Sequence, residues 1–308
     1  MLFLFEYATC TPVSLPAGIA VEGLAMFRAM HASFSELLRV RTTPSHAGWM
    51  QRFQELAEEC EHALVIAPES GGVLLELTRV LEKAGTLNLG SSPEGVRIAG
   101  DKLLCHRALR GLPQPETELY DGTCTLEPPL VAKPRVGEGG ERMLVRSEEE
   151  LERVPRGWLL QELVPGRAMS ASLLVGDDVH VLSLNTQRFS GTSYAGGEII
   201  SRQVPEEVIE AASRIKGLHG YVGVDFVQGE HTWIIEVNPR LTTPAAGLTR
   251  ALDTSLGELL LRNAEGRQLP SVQLRQKVGV RKLRGSIKQG MQEIASTGGY
   301  TIALEVLP

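Results

Sequence analysis

The feature that most restricts the fold is a change of texture along the chain. Over residues 1–90 short apolar runs alternate with segments of helical period. Leu2–Tyr7 reads as a strand, Ala17–His31 and Trp49–Cys60 as helices, and Ala63–Ala67 as a short buried strand. Gly72–Lys83 is a further helix and Thr86–Leu89 a further strand. Such alternation predicts a parallel sheet flanked by helices. No G-x-G-x-x-G follows the first strand, so the dinucleotide fingerprint is missing. From Leu130 onward strand follows strand. Leu130–Pro134, Arg142–Val145, Trp158–Leu163, Ser170–Gly176 and His180–Leu184 are joined by short turns, with a helix at Ser147–Arg153. Gly223–Val227 and Thr232–Val237 form a hairpin, Glu206–Gly217 and Leu256–Ala264 are helices, and Tyr300–Val306 is a strand. That half reads as antiparallel α+β. The expected class is therefore α/β followed by α+β, with two or three lobes for a chain of 308 residues.

Composition narrows the function less than the fold. A net charge of −6 argues against a nucleic-acid partner. The longest uncharged stretch, Tyr7–Val21, holds two prolines and is too short to span a membrane. The N-terminus has no basic region or cleavage site of a signal peptide. Cys10, Cys60, Cys105 and Cys124 stand alone, with no C-x-x-C spacing, as expected of thiols in a reducing cytoplasm. The seven histidines are scattered and no G-x-S-x-G occurs, so zinc and serine-hydrolase chemistry have no foothold. Gly and Pro together make about one residue in six, which implies many turns and backbone able to cradle a ligand.

Four segments can carry chemistry. In Thr232–Arg240 (TWIIEVNPR) Glu236 and Asn238 are two apart on a strand and project to one face. Hard oxygen ligands side by side suit Mg²⁺. Asp225, on the preceding hairpin strand, can lie opposite Glu236, and Arg240 follows to neutralise phosphate charge. In Leu130–Gly140 (LVAKPRVGEGG) Lys133 sits inside an apolar strand, where it must be paired or aimed at a ligand. The glycines after it let backbone N–H groups approach phosphate oxygens. Lys102 opens a helix behind Asp101, its N-cap. Trp158–Gly166 (WLLQELVPG) runs from a strand into a turn able to hydrogen-bond an adenine edge. Read singly, each is equally an ordinary strand end, hairpin turn or helix start.

Their order along the chain is more telling. A helix-start lysine, a strand lysine with a glycine loop, the Q-E-L-V turn, the aspartate hairpin and E-x-N-P-R together resemble the ATP-grasp superfamily of carboxylate–amine ligases, over Gly100–Gly247. The resemblance implies an N-terminal parallel α/β (pre-ATP-grasp) domain at 1–95 and a small lid lobe at 96–160. It further implies a large catalytic lobe at 161–265 and a tail, 266–308, packing on the core. It implies that Lys102 and Lys133 contact ATP phosphates and that Gly137, Gly139 and Gly140 belong to a mobile lid loop. Gln161, Glu162 and Val164 would receive adenine, Asp225, Glu236 and Asn238 would hold Mg²⁺ (or Mn²⁺ in its place), and Arg240 would stand near the reacting phosphate. The implied reaction is ADP-forming ligation of a small-molecule carboxylate to an amine through an acyl phosphate. Asn185–Arg188 and Tyr194–Gly197 look like the substrate-side loop of an archaeal subgroup, and Phe5–Tyr7 and Glu22–Phe27 are similar to its tyramine–glutamate ligases. One position departs: Ala168 stands where many members carry an acid for the ribose hydroxyls. The alternative is an ATP–Mg²⁺-binding sensor or assembly protein without ligase turnover.

Overall fold

The computed structural model describes residues 1–137, 142–285 and 287–308, so Gly139 and Gly140 lie outside the described residues. Three sheets follow one another along the chain. The first holds β1 (Leu2–Glu6), β2 (Val40–Arg41), β3 (His62–Ile66) and β4 (Leu87–Asn88), all parallel, in the order β2-β1-β3-β4. Every residue of β1 is buried, because helices cover both faces. Period-two alternation divides its side chains. Leu2 and Leu4 enter one core with Val21, Met30 and Phe34 of the helix Ala17–Ser35. Phe3 and Phe5 enter another, meeting Phe53 edge-on at 5.0 and 4.9 Å between ring centres.

The second sheet is antiparallel, β5 (Thr117–Leu119), β6 (Leu130–Pro134), β7 (Met143–Val145) and β8 (Trp158–Glu162), in the order β5-β8-β6-β7. The third has eight strands: β9 (Arg167–Val175), β10 (Val179–Ser190), β11 (Ser193–Ser201), β12 (Gly220–Gln228), β13 (Thr232–Asn238), β14 (Val278–Arg284), β15 (Gln292–Thr297) and β16 (Tyr300–Val306). Their order is β13-β12-β9-β10-β11-β14-β16-β15. Residues 278–306, read from sequence as part of a tail, thus supply three strands of this sheet, with β14 hydrogen-bonded to β11. Helices Pro244–Ala251 and Leu256–Ala264 pack its apolar face against the helix Ala17–Ser35, so one core joins the first and third sheets. Among the described residues no helix is long and apolar enough to cross a membrane.

One expectation fails here. Asn185–Gly197, read as a loop, is a β-hairpin in which Gln187 pairs with Gly197 and Arg188 with Gly196. The tight Gly-Gly pair hides the strand from propensity, since glycine is weak in strands. Its reason is steric: a Cβ on Gly196 would lie 2.2 Å from the Val280 carbonyl oxygen, and one on Gly197 2.0 Å from that of Thr186. Strands β10, β11 and β14 approach one another where only hydrogens fit. Gly197→Ala is therefore expected to lower the melting temperature by roughly 4 °C or more, a loss above about 2 kcal/mol, measured by thermal denaturation.

Candidate active site

A cleft of about 290 Å³ opens between the second and third sheets, and one edge is closed by the N-terminal domain. Along β6 side chains alternate. Leu130 and Ala132 enter the core of the second sheet, whereas Val131 and Lys133 face the cleft. Lys133 is only 7% exposed, and its Nζ donates to Gln161 Oε1 at 2.9 Å. Gln161 Nε2 donates in turn to Thr117 Oγ1 at 2.9 Å. The side chain of Gln161 therefore orients the lysine. Burial brings the Lys133 ammonium down to about 8, with the Glu236 charge opposing the shift. The turn after β8 borders the same cleft through Glu162, Leu163 and Val164. The N–H groups of Glu162 and Leu163 donate to the carbonyls of Glu116 and Pro129.

Asp101 caps the helix Lys102–Ala108, accepting from the N–H groups of Leu103 and Leu104 at 3.0 and 3.1 Å. The same carboxylate grips Arg135 Nε at 2.9 and 2.8 Å and its Nη2 at 2.7 Å. The helix start is thereby tied to the turn after β6. Lys102 Nζ donates to the Gly137 carbonyl at 2.6 Å and lies 3.5 Å from Glu236 Oε1. Both lysines thus border the cleft.

On the opposite wall Asp225 of β12 stands directly across from Glu236 of β13 in the antiparallel register. A register shift follows at Phe226, the kind of bulge that re-aims side chains beside a site. Asn238, two residues past Glu236, donates Nδ2 to Asp225 Oδ2 at 3.2 Å, and Gln187 Nε2 donates to Oδ1 at 2.9 Å. Burial, then the neighbouring Glu236 charge, pushes the Asp225 carboxyl up to about 7. Among the described residues no group of three or more His, Cys, Asp or Glu side chains forms a complete metal cage. Two facing carboxylates and an amide make a partial shell instead. That suits Mg²⁺, which keeps waters and shares its coordination with substrate phosphates.

Arg240 reaches back to the N-terminal domain. Its Nε lies 2.9 Å from both carboxylate oxygens of Glu69, in the segment after β3, and its Nη1 donates to the Leu241 carbonyl at 3.1 Å. With side chains 14% and 7% exposed, the pair is largely out of water, and removing one partner would cost about 3–5 kcal/mol.

Arg142 and Phe189 of the cleft had no functional role in the sequence reading, and Glu22 and Tyr194 entered it only as members of short segments without individual roles. Glu22 of the helix Ala17–Ser35 faces the cleft and accepts from Lys282 Nζ at 2.5 Å and from the Thr243 hydroxyl. Tyr194 lines the wall, its buried hydroxyl without a hydrogen-bond partner among the described residues, and burial raises its phenol well above the usual value. Arg142 stacks over the Phe189 ring at 4.2 Å. Contacts such as Glu22–Lys282, 260 residues apart, leave no local signal. Ala168 also borders the cleft, so no carboxylate stands at that position.

The comparisons agree with one another. The family model described as ATP-grasp domain matches residues 99–244, and the pre ATP-grasp 3 domain model matches residues 26–96. The chain is 31% identical over 298 residues to the tyramine–L-glutamate ligase of Methanocaldococcus fervens, covering 87% of this chain and 96% of that protein. Its similarity to the enzyme of the same name from Methanocaldococcus jannaschii is 34% over 219 residues, or 69% of this chain and 66% of the relative. A crystal structure of an ATP-grasp superfamily protein from Archaeoglobus fulgidus superposes with a TM-score of 0.83 at 32% identity, covering 100% of this chain and 99% of that one.

The Lys133–Gln161 bond yields a direct prediction. Gln161→Leu removes the acceptor of a buried ammonium. It should weaken ATP binding about tenfold, or ~1.4 kcal/mol, by isothermal titration calorimetry.

Proposed function

The chain belongs to the ATP-grasp family and is an ATP-dependent ligase, and from that premise we propose that it joins L-glutamate, as the carboxylate, to tyramine, as the amine. The pair of substrates follows the name of the relative that aligns over nearly its whole length. The observation that carries the active-site reading is the opposition of Asp225 and Glu236 beneath two cleft lysines. Like charges facing each other in a half-buried ladder are relieved by a proton on one of them or by a cation beside them, and a divalent ion is the stronger remedy.

A carboxylate is a poor electrophile for an amine, so the acid is first phosphorylated by ATP and the amine then displaces phosphate from the acyl phosphate. The protein's task is positioning and charge stabilisation, with no covalent nucleophile required. Lys133, held by Gln161, and Lys102, held beside the Gly137 carbonyl, bind the phosphates. The backbone at Glu162 and Val164 receives adenine. Gly137, whose carbonyl holds Lys102, borders the phosphate end of the cleft. Asp225, Glu236 and Asn238 would hold Mg²⁺, or Mn²⁺ with the same oxygen preference, which would supply positive charge against the transferring phosphoryl group. Arg240, fixed through Nε by Glu69, presents its guanidinium to the acyl phosphate. The partners are small molecules and the setting is the cytoplasm. The second reading, a nucleotide-binding sensor, draws on Ala168 in the cleft wall.

Two measurements test this. ADP release is expected only when ATP, Mg²⁺, L-glutamate and tyramine are all present, and Glu236→Gln should lower kcat at least ~100-fold. Tight ATP binding with no release on any pairing of acid and amine would favour the sensor. Without metal, Asp225→Asn removes a carboxylate whose ionisation is opposed by burial. Its melting temperature should therefore rise by roughly 2 °C or more, while the stabilisation that Mg²⁺ gives the parent protein disappears.

A further inference from the structure

A second chamber adjoins the nucleotide cleft, between the N-terminal domain and the catalytic lobe. The two cavities share Glu22, Arg240 and Thr243, which therefore form the mouth between them. The chamber lies at the carboxyl ends of β1 and β3, where open parallel sheets present their crevices. Its walls are apolar, with Leu15, Ile19, Met26, Ile66 and Pro68 among them. Its one polar side chain away from the mouth is Glu6, 3% exposed, the last residue of β1.

The carboxylate of Glu6 is held in a fixed place. Oε1 accepts from the Ala8 N–H at 3.1 Å, and Oε2 accepts from the Thr9 N–H at 2.7 Å and from the Thr9 hydroxyl at 2.5 Å. Gly23 makes the space for it, since a Cβ there would come within 2.3 Å of Oε1. Glu6 and Gly23 belong to the two short segments, Phe5–Tyr7 and Glu22–Phe27, that no nucleotide or metal role absorbs. The fold brings both to one chamber. Among the described residues no lysine or arginine pairs with Glu6. An ionised carboxylate has about four acceptor sites, and three are taken by these bonds.

The chemistry of an occupant follows by elimination. A carboxylate at the far end would face the like charge of Glu6. An ammonium at the far end would carry the reacting nitrogen away from Arg240 and the phosphates. What remains is an apolar body whose amino group sits at the mouth, beside the Glu22 carboxylate that Lys282 and Thr243 hold in place, and whose far end bears a neutral hydrogen-bond donor.

We propose that this chamber holds the amine substrate, with its amino group at the Glu22–Arg240–Thr243 mouth and a hydroxyl at its far end donating to the Glu6 carboxylate. The proposal rests on the ligase reading above and adds to it a specificity-determining residue. A buried acceptor left unpaired is costly, so sites built to bind a hydroxyl reject the analogue lacking it, by as much as about 10⁴-fold.

The test compares kcat/KM for tyramine and for 2-phenylethylamine, which lacks the hydroxyl, with ATP, Mg²⁺ and L-glutamate, in the parent protein and in Glu6→Gln. The parent is expected to prefer tyramine by roughly 100-fold or more, and Glu6→Gln to reduce that ratio at least tenfold. Gly23→Ala, whose methyl displaces the carboxylate, should reduce the same ratio and serves if Glu6→Gln does not fold. A parent ratio near one overturns the proposal. So does an unchanged ratio in the variants, even if both rates fall, because Glu6 is then only the cap of the helix Tyr7–Cys10. In both cases amine-dependent ADP release still stands. ADP release that ignores the amine altogether overturns the ligase reading and the proposal with it.

Discussion

Two carboxylates facing each other across an antiparallel ladder are the constraint around which the catalytic lobe is arranged. Burial and the neighbouring Glu236 charge both oppose ionisation of Asp225. The surrounding groups reduce this opposition in different ways. Gln187 and Asn238 donate hydrogen bonds to Asp225, while Lys102 supplies positive charge to Glu236. The lysine that steadies Glu236 also fastens the turn after β6 through Gly137. Lys102, Gly137, Asp225, Glu236, Gln187 and Asn238 thus share one electrostatic framework.

The N-terminal domain is part of that framework. Glu69, just beyond its third strand, clamps Arg240, and Glu22 from its long helix meets Lys282 and Thr243 of the catalytic lobe. Both contacts join opposite charges or donors and acceptors largely withdrawn from water, so they are more rigid than exposed ion pairs. The apolar core that runs from Leu2 and Leu4 through the helix Ala17–Ser35 to Leu304 holds the two lobes in register.

What could be read from the sequence was what local chemistry dictates. The period of a strand places Glu236 and Asn238 on one face, and hairpin geometry brings Asp225 opposite, as the register shows. Asp101 caps its helix because its short carboxylate reaches the first unpaired N–H groups, those of Leu103 and Leu104. The N-terminal alternation became a parallel sheet because runs such as LFLFE must be covered on both faces. Where the reading failed, the cause was distance or disguise. Strand β11 was hidden by two glycines that exist for a carbonyl on a neighbouring strand. The side chain of Gln161 proved to serve Lys133, which a hinge motif alone does not reveal. Glu22 and Glu69 owe their roles to residues more than 150 positions away.

The addition of β14 to the edge of β11 has a bearing on how such a protein comes into being at the ribosome. The cleft-lining strands β9, β10, β12 and β13 are synthesised by residue 238, yet β11 keeps one edge unpaired until residues 278–284 have left the exit tunnel. Lys282, the partner of Glu22, arrives with that same strand. A nascent chain therefore carries Lys102, Lys133, Asp225 and Glu236 for some time before the strand that bears the partner of Glu22 exists. Its exposed strand edge is during that interval a surface for chaperones, or for pairing with a neighbouring chain.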